Sequence, residues 1–507
     1  MNSYFQNQLV KEILNKYRVI WGLRHALSLM EWDMETYMPR EGVNERGVAI
    51  AELSLLARKY LLDEKFVELV DKASQIDGLN EYEKGVIRVL KREIEWNKKI
   101  PENVIYELAK IRPASHEAWV EAKKKDNFEI FKPYLEKIVE LIRKISESVG
   151  YEEHPYDPLL DHYEEGLTTR KAEALFDLLK GRLRMLIDKI ANNGVYPSHH
   201  RFEDMQYDEA EARQLVTHIL NLLNYPSGRG RVDIAPHPFT IELSRKDVRI
   251  TVRYEGKDIK KAMYSAIHEF GHALYELQVD ENLEYTPIAG GVSLGIHESQ
   301  SRFWENIVGR SYGFIKLIYS DFTRIISALK PESPMDLYLY VNTVKPNLIR
   351  VDADEVTYNA HVIVRFELEK MLVNNEIRVD DLPELWSELY EKYLGIRPST
   401  YSEGVLQDIH WSGGMIGYFP TYSVGTLLSA QIKYAIEKEL GKTIDEIALD
   451  NNLGLIREWL REKIHNWGST YPPSVLLQKA MGEELNPEYF VKYIESKYLK
   501  LPEQFLQ

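Results

Sequence analysis

The segment His268-Glu269-Phe270-Gly271-His272 sets two imidazoles four residues apart with a carboxylate beside the first. On a helix, residues four apart stack with roughly 5–6 Å between Cβ atoms, so both rings can reach one cation. Glu269 then overlooks the ion without binding it, as in His-Glu-x-x-His (HEXXH) zinc sites. Imidazole donors and an open coordination position suit zinc. The pattern also arises by chance on exposed helices, so a third ligand is what gives it weight. His297-Glu298-Ser299-Gln300-Ser301 supplies one after a Gly290-Gly291 break where the chain can turn back. The metal set is then His268, His272 and Glu298, a combination typical of catalytic rather than structural zinc. His297 points about 100° away from Glu298 on a helix and reads as a group behind the ligands or facing substrate. Amide hydrolysis is the chemistry expected: the ion acidifies a water, and Glu269 accepts its proton and returns it to the leaving amine. Two-His, one-Glu sites also accept cobalt or manganese, so the spacing specifies the ligands and not the element.

Those side chains need a helix beneath them, and the sequence predicts one over 258–278, with Asp258 at its N-cap. Just upstream, Phe239-Thr240-Ile241-Glu242-Leu243 and the run from Val248 to Tyr254 alternate apolar with polar. Ser244 to Asp247 connect them, which predicts a hairpin with Val248, Ile250, Val252 and Tyr254 on one face. Arg249, Thr251 and Arg253 share the other face. Elsewhere helical spacing dominates: Leu9, Ile13, Tyr17 and Ile20; Phe131, Leu135, Ile138, Ile142 and Ile145; Ile456, Trp459, Leu460 and Ile464. The stretch 225–231 reads as a loop and lacks the Lys-Ser/Thr of a phosphate loop. A mainly α chain with a small hairpin or sheet beside the metal-binding helix is expected.

Composition narrows the function further. A net charge of -15 over 507 residues argues against a nucleic-acid or anionic-membrane partner, both of which select for a basic face. With no cysteine, any metal must be held by His, Asp or Glu. No apolar run approaches the ~18 residues of a membrane span, and the first residues lack a secretory layout, so a cytoplasmic location is expected. Charged residues at 28% without cysteine would suit a heat-stable protein.

Taken together, several motifs resemble the M32 metallocarboxypeptidases, the thermostable type known from thermophilic archaea and bacteria. In family order they are His237-Pro238-Phe239, Asp247-x-Arg249-x-Thr251, the helix with His268 and His272, and His297-Glu298-Ser299-Gln300. Ile349-Arg350-x-x-Ala353-Asp354 and Gly404-x-x-Gln407-Asp408-x-His410-Trp411 come next. Trp32-Asp33-x-Glu35-x-x-Met38-Pro39 near the start and Gly482-x-x-Leu485-x-Pro487 near the end also fit. The resemblance implies a helical body split by a deep substrate groove, of the zincin kind shared with oligopeptidases and angiotensin-converting enzymes. Residues 1–235 would form one wall, 236–430 the catalytic core and 431–507 helices packed on that core. The implied activity is release of single C-terminal residues with broad specificity, by a homodimer in which Co2+ can replace Zn2+.

An exopeptidase must recognise a free carboxylate, and a planar guanidinium is its natural partner. Arg350 is the first choice, the alternative being a salt bridge to Asp352, Asp354 or Glu355. Arg249 and Arg253 on the hairpin's polar face are further substrate-binding candidates, although Arg249 can equally pair with Asp247 or Asp354. Asp354 reads either as an acceptor for a ligand imidazole or as a helix cap. His410, Tyr418 and Tyr422 flank the glycine-rich Gly413-Gly414-Met415-Ile416-Gly417 and are candidate oxyanion donors, each with a packing role as the alternative. An endopeptidase with the same metal core and a non-catalytic metal-stabilised binding protein are the competing readings. The intact Glu269 speaks against the second of these.

Overall fold

The apolar stripes become buried helix faces in the computed structural model, which describes residues 4–502. Phe131, Leu135, Ile138, Ile142 and Ile145 line the buried side of the helix Phe128–Val149. Val10, Ile13, Tyr17 and Ile20 do the same in Gln8–Thr36, and Ile456, Trp459 and Leu460 in Gly454–Lys463. Each such side chain contributes about 1.5–3 kcal/mol relative to exposure, so these stripes are where the helical architecture draws its stability. Helices make up most of the described chain.

Two compact units emerge, and each is assembled from separated stretches. The first takes the chain up to Lys98, Arg201–Val341 and Ile432–Glu484; the second takes Lys99–His200, Asn342–Gln431 and the chain from Leu485 on. Both draw on all three of the regions 1–235, 236–430 and 431–507.

The first unit holds a three-stranded sheet of order β1-β3-β2, made of β1 (Gly230–Ile234), β2 (Thr240–Ser244) and β3 (Asp247–Val252). β2 and β3 form the expected antiparallel hairpin, with an irregularity between Glu242 and Ser244. β1, which starts inside the stretch read as loop, pairs parallel to β3 with Gly230 opposite Val248. Its burial pattern hides it from pattern reading: Val232 and Ile234 are exposed while Asp233 is buried. Asp233 accepts from Arg231 at 2.7 and 2.8 Å and from the Tyr37 hydroxyl at 2.5 Å, so charge pairing substitutes for an apolar contact. Gly230 must lack a side chain, because a Cβ there would collide with the Tyr225 ring. The Tyr225 hydroxyl in turn joins Arg231 N–H to the Val248 carbonyl. On β3 the face that carries Arg249 is covered as well: Thr251 is fully buried and its hydroxyl bonds Phe239.

Behind the sheet runs the helix Ile259–Gln278, the metal helix, buried on nearly every side. Such a helix belongs to a protein's centre. Asp258 stands at its N-cap but in a left-handed conformation (φ 56°) and makes no side-chain cap; its carboxylate accepts from the Tyr340 hydroxyl instead. The glutamate helix, Leu294–Arg302, starts at Ser293, whose hydroxyl accepts from Ile296 N–H. It passes directly into a π-helical turn, Phe303–Val308. Wide turns of this kind are rare and concentrate at functional sites.

Candidate metal centre

His268 and His272 project from one face of the metal helix, and Glu298 meets them from the glutamate helix. His272 Nε2 lies 3.3 Å and His268 Nε2 3.6 Å from the same atom, Glu298 Oε2. Bonds of about 2.0–2.2 Å in a tetrahedron leave ligand atoms about 3.3–3.6 Å apart, so the donors fit one divalent cation of zinc's size. The three residues that spacing groups together are thus neighbours in the fold. Of the groups behind them, His297 is read from the sequence as standing behind the ligands or facing substrate, and Glu276, Glu305 and Arg302 are not identified from it.

His268 Nδ1 faces Glu305 Oε2 at 2.8 Å. Arg302 donates to Glu298 Oε1 at 2.7 Å and reaches Glu305 Oε2 at 3.4 Å, fixing both carboxylates. His272 Nδ1 faces His297 Nδ1 at 2.6 Å, and His297 Nε2 faces Glu276 Oε1 at 2.7 Å. His297 is therefore a group behind a ligand. Glu276 had a signal, since it lies four residues beyond His272 and shares that ligand's helix face, whereas Glu305 reaches His268 from the π-helical turn 37 residues away.

The charges reflect this arrangement. Burial opposes ionisation of Glu298, but Arg302, His268 and His272 outweigh it and hold the carboxyl well below its ordinary range. Burial pushes His272 down to about 3, with His297 and His268 adding to the effect, so its ring is neutral and able to ligate. Glu269 is pushed up, chiefly by burial. The Thr240 hydroxyl lies 2.7 Å from Glu269 Oε2 and 2.9 Å from its carbonyl, so β2 fixes the orientation of this carboxyl.

A buried HEXXH helix with a glutamate ligand on the next helix recurs among metallopeptidases, and comparison with known proteins decides between them. The model of the family Carboxypeptidase Taq (M32) metallopeptidase matches residues 11–498. The chain belongs to the M32 metallopeptidases. It is 51% identical to thermostable carboxypeptidase 1 of Pyrococcus furiosus, over 98% of this chain and 100% of that one. Carboxypeptidase 1 of Bacillus subtilis is 38% identical, over 97% and 98%. The structure described as Pyrococcus furiosus Carboxypeptidase Apo-Mg superposes with a TM-score of 0.95 at 50% identity, covering 98% of this chain and 100% of that chain. This M32 chain is accordingly a metallocarboxypeptidase, a hydrolase that uses a metal ion and acts on peptides. No helix among its described residues is long and apolar enough to cross a membrane.

The other candidate residues of this M32 carboxypeptidase fall into separate places. In the second unit, Arg350 is buried and donates through Nε and Nη2 to Asp408 Oδ1, at 3.0 and 2.8 Å, and through Nη1 to the Tyr358 hydroxyl. Its acidic partner is thus Asp408, 58 residues away, and not Asp352, Asp354 or Glu355. Asp408 Oδ2 simultaneously receives Arg365 at 2.7 and 2.5 Å. Burial works against charge on Asp408, yet the two guanidinium groups hold its carboxyl far below the ordinary range. Tyr422 lies beneath Arg350, whose Cζ is 4.9 Å from the ring centre. His410 joins this group, with Nε2 3.2 Å from the Tyr422 hydroxyl and its ring against Phe419, Tyr418 and Tyr422. Burial lowers His410 to about 4 and its Nδ1 is buried without a partner among the described residues. Trp411 turns elsewhere, donating to Glu369. So Arg350, His410, Tyr418 and Tyr422 form one cluster.

Arg249 and Arg253 are not in it. Arg249 is held by Asp247 in a two-bond pair and lies 4.2 Å over the Trp32 ring, and Arg253 is half-exposed near Glu255. Asp354 caps a turn, accepting from the backbone N–H groups of Lys345, Val356 and Thr357.

Proposed function

We propose that this M32 chain is a zinc-dependent carboxypeptidase that removes single C-terminal residues with broad specificity, working as a cytoplasmic homodimer. The observation that carries the catalytic part is the convergence of His268 Nε2 and His272 Nε2 on Glu298 Oε2, with Glu269 alongside. His268, His272 and Glu298 would hold the ion, which supplies Lewis acidity toward a carbonyl and a water when bound. Glu269 is the general base. Thr240 occupies its Oε2, leaving Oε1 to take the proton from the attacking water. Because burial raises its affinity for a proton, the same carboxyl can keep that proton and deliver it to the leaving amine. Glu305 and Arg302 keep His268 and Glu298 in place meanwhile.

Arg350 is the proposed anchor for the terminal carboxylate. Two arginines against one Asp408 leave an excess of buried positive charge, which a substrate carboxylate would neutralise. His410, Tyr418 and Tyr422 are the proposed donors to developing negative charge, the neutral His410 ring among them. Arg249 and Arg253 are weaker candidates, since their acidic neighbours already engage them.

The test is release of the last residue from an N-blocked dipeptide and an N-blocked pentapeptide, before and after chelation. Single-residue release that disappears with chelator and returns with Zn2+ or Co2+ supports the reading. Internal cleavage of the pentapeptide, untouched in Arg350→Ala, would remove the carboxylate anchor from it. Size measurement in solution separately tests the dimer.

A further inference from the structure

A metal held by His268, His272 and Glu298 leaves one chain of contacts behind it unexplained. Glu276, His297 and His272 stand in line within the first unit, linked at 2.7 and 2.6 Å. We propose that they form a directional relay that fixes which nitrogen of His272 is available to a metal ion and how tightly that ion is held, a role that rests on the metal site proposed above.

The direction is set at the far end. Glu276 Oε1 accepts the Gly291 backbone N–H at 3.1 Å, so it is an acceptor, and His297 Nε2 must carry a proton toward it. The two facing Nδ1 atoms share one proton, and ligation of a metal through His272 Nε2 places that proton on His272, with His297 Nδ1 as its acceptor. His272 then donates Nδ1–H to it, with the His272 Nε2 lone pair on the side of Glu298. His268 reaches the same tautomer by a shorter route, through Glu305 directly. The two ligand imidazoles are therefore backed differently, one by a carboxylate and one by a carboxylate acting through a second ring.

Surroundings hold the relay in register. Glu276 is buried and its Oε2 has no partner among the described residues, so its hydrogen bonding is concentrated on Oε1. A desolvated acceptor of this kind strengthens the bonds it does make. The His297 ring packs against Tyr275, with centroids 5.3 Å apart. Gly291 closes the other side: a Cβ there would stand 2.6 Å from His297 Cδ2 and 3.3 Å from Glu276 Oε1. Gly291 thus does more than turn the chain; it lets backbone approach the relay closely.

The experiment measures metal loss to excess chelator from the cobalt- or zinc-loaded enzyme, with unfolding of each apo variant followed in parallel. His297→Ala and Glu276→Leu should each speed release by about 10–100-fold, the usual cost of removing a group behind a ligand. Glu276→Gln keeps an acceptor without the charge and should fall between. Because the groups act in series, Glu276→Leu/His297→Ala should release metal no faster than His297→Ala alone. Glu305→Gln lies on the other arm, so its effect should multiply with that of Glu276→Leu. The visible spectrum of the cobalt enzyme should shift in Glu276→Leu, a signature that loosened packing alone would not give. Wild-type release from Glu276→Leu, or multiplied effects in the double variant, would overturn the relay. Wild-type protein that binds less than one ion per chain, or Glu298→Ala that binds normally, would overturn the metal reading instead.

Discussion

Gly271 lies between the two histidines at the point where the metal helix meets the glutamate helix. A Cβ at this position would be 2.5 Å from Gln300 O and Ser301 Cα, and 2.8 Å from Gln300 C. All three are backbone atoms, so no side-chain rotation can relieve the overlap. Restoring ordinary contact at 3.4 Å requires the helices to part by about 0.9 Å in Gly271→Ala. The gap between His272 Nε2 and Glu298 Oε2 would widen from 3.3 Å to about 4.2 Å if it moved with the backbone. Two bonds of about 2.1 Å span that distance only in a straight line, which a tetrahedral ion does not allow. One ligand must stretch or let go. Displacements of about 1 Å at a reacting centre cost about 10²-fold, and a comparable loss is expected in both metal affinity and kcat/KM. Overpacking should also lower the stability of the apo protein by about 1–3 kcal/mol. Competition against a fluorescent zinc chelator gives the affinity, and unfolding of the metal-free variant shows whether it is folded. A folded Gly271→Ala with zinc affinity within about threefold of wild type would refute the claim that this contact sets the ligand spacing.

Other consequences are independent of that contact. Glu269→Gln should keep its metal, measured by elemental analysis, while kcat falls by about 10²–10⁴-fold. Asp408→Asn strands two buried guanidinium groups and should cost about 3–5 kcal/mol in urea unfolding, with partial recovery in Asp408→Asn/Arg365→Leu. Burial raises Glu369 from 4.5 to about 7 even though Tyr156, Trp411 and Gly417 all donate to it. A carboxyl raised on folding gives stability that is full below its unfolded value and lost as pH climbs through its folded one. Wild-type stability should therefore fall by about 3 kcal/mol more than that of Glu369→Gln between pH 4.5 and 7. Equal slopes in the two proteins would contradict this.

The range of each interaction decided whether the sequence could report it. His268 and His272 are related by one helical turn, so spacing alone placed them on one face. The buried faces of Phe128–Val149 and Gln8–Thr36 were readable for the same reason. Glu276 obeyed that rule too, yet glutamate is common on helices and nothing local marked it as buried behind a ligand; Glu305 is brought to His268 by tertiary packing. Arg350 shows the opposite limit: its partner Asp408 is brought in by tertiary packing, and sequence proximity pointed to the wrong carboxylates. β1 escaped notice because its inward residue is Asp233, an ion-paired exception to the alternation by which strands are recognised. Asp258 has the residue type of a cap, but its left-handed backbone and the Tyr340 hydroxyl take its carboxylate elsewhere.

The weaving of the two units has a consequence for how the protein is made. The first unit is not complete until Glu484 has been synthesised, and the second needs chain from Leu485 on. Neither can be completed early in synthesis, as an N-terminal domain ordinarily is. The nascent protein must carry partly built helical surfaces until the segment beyond Glu484 emerges, which makes chaperone protection during translation a natural companion of this topology.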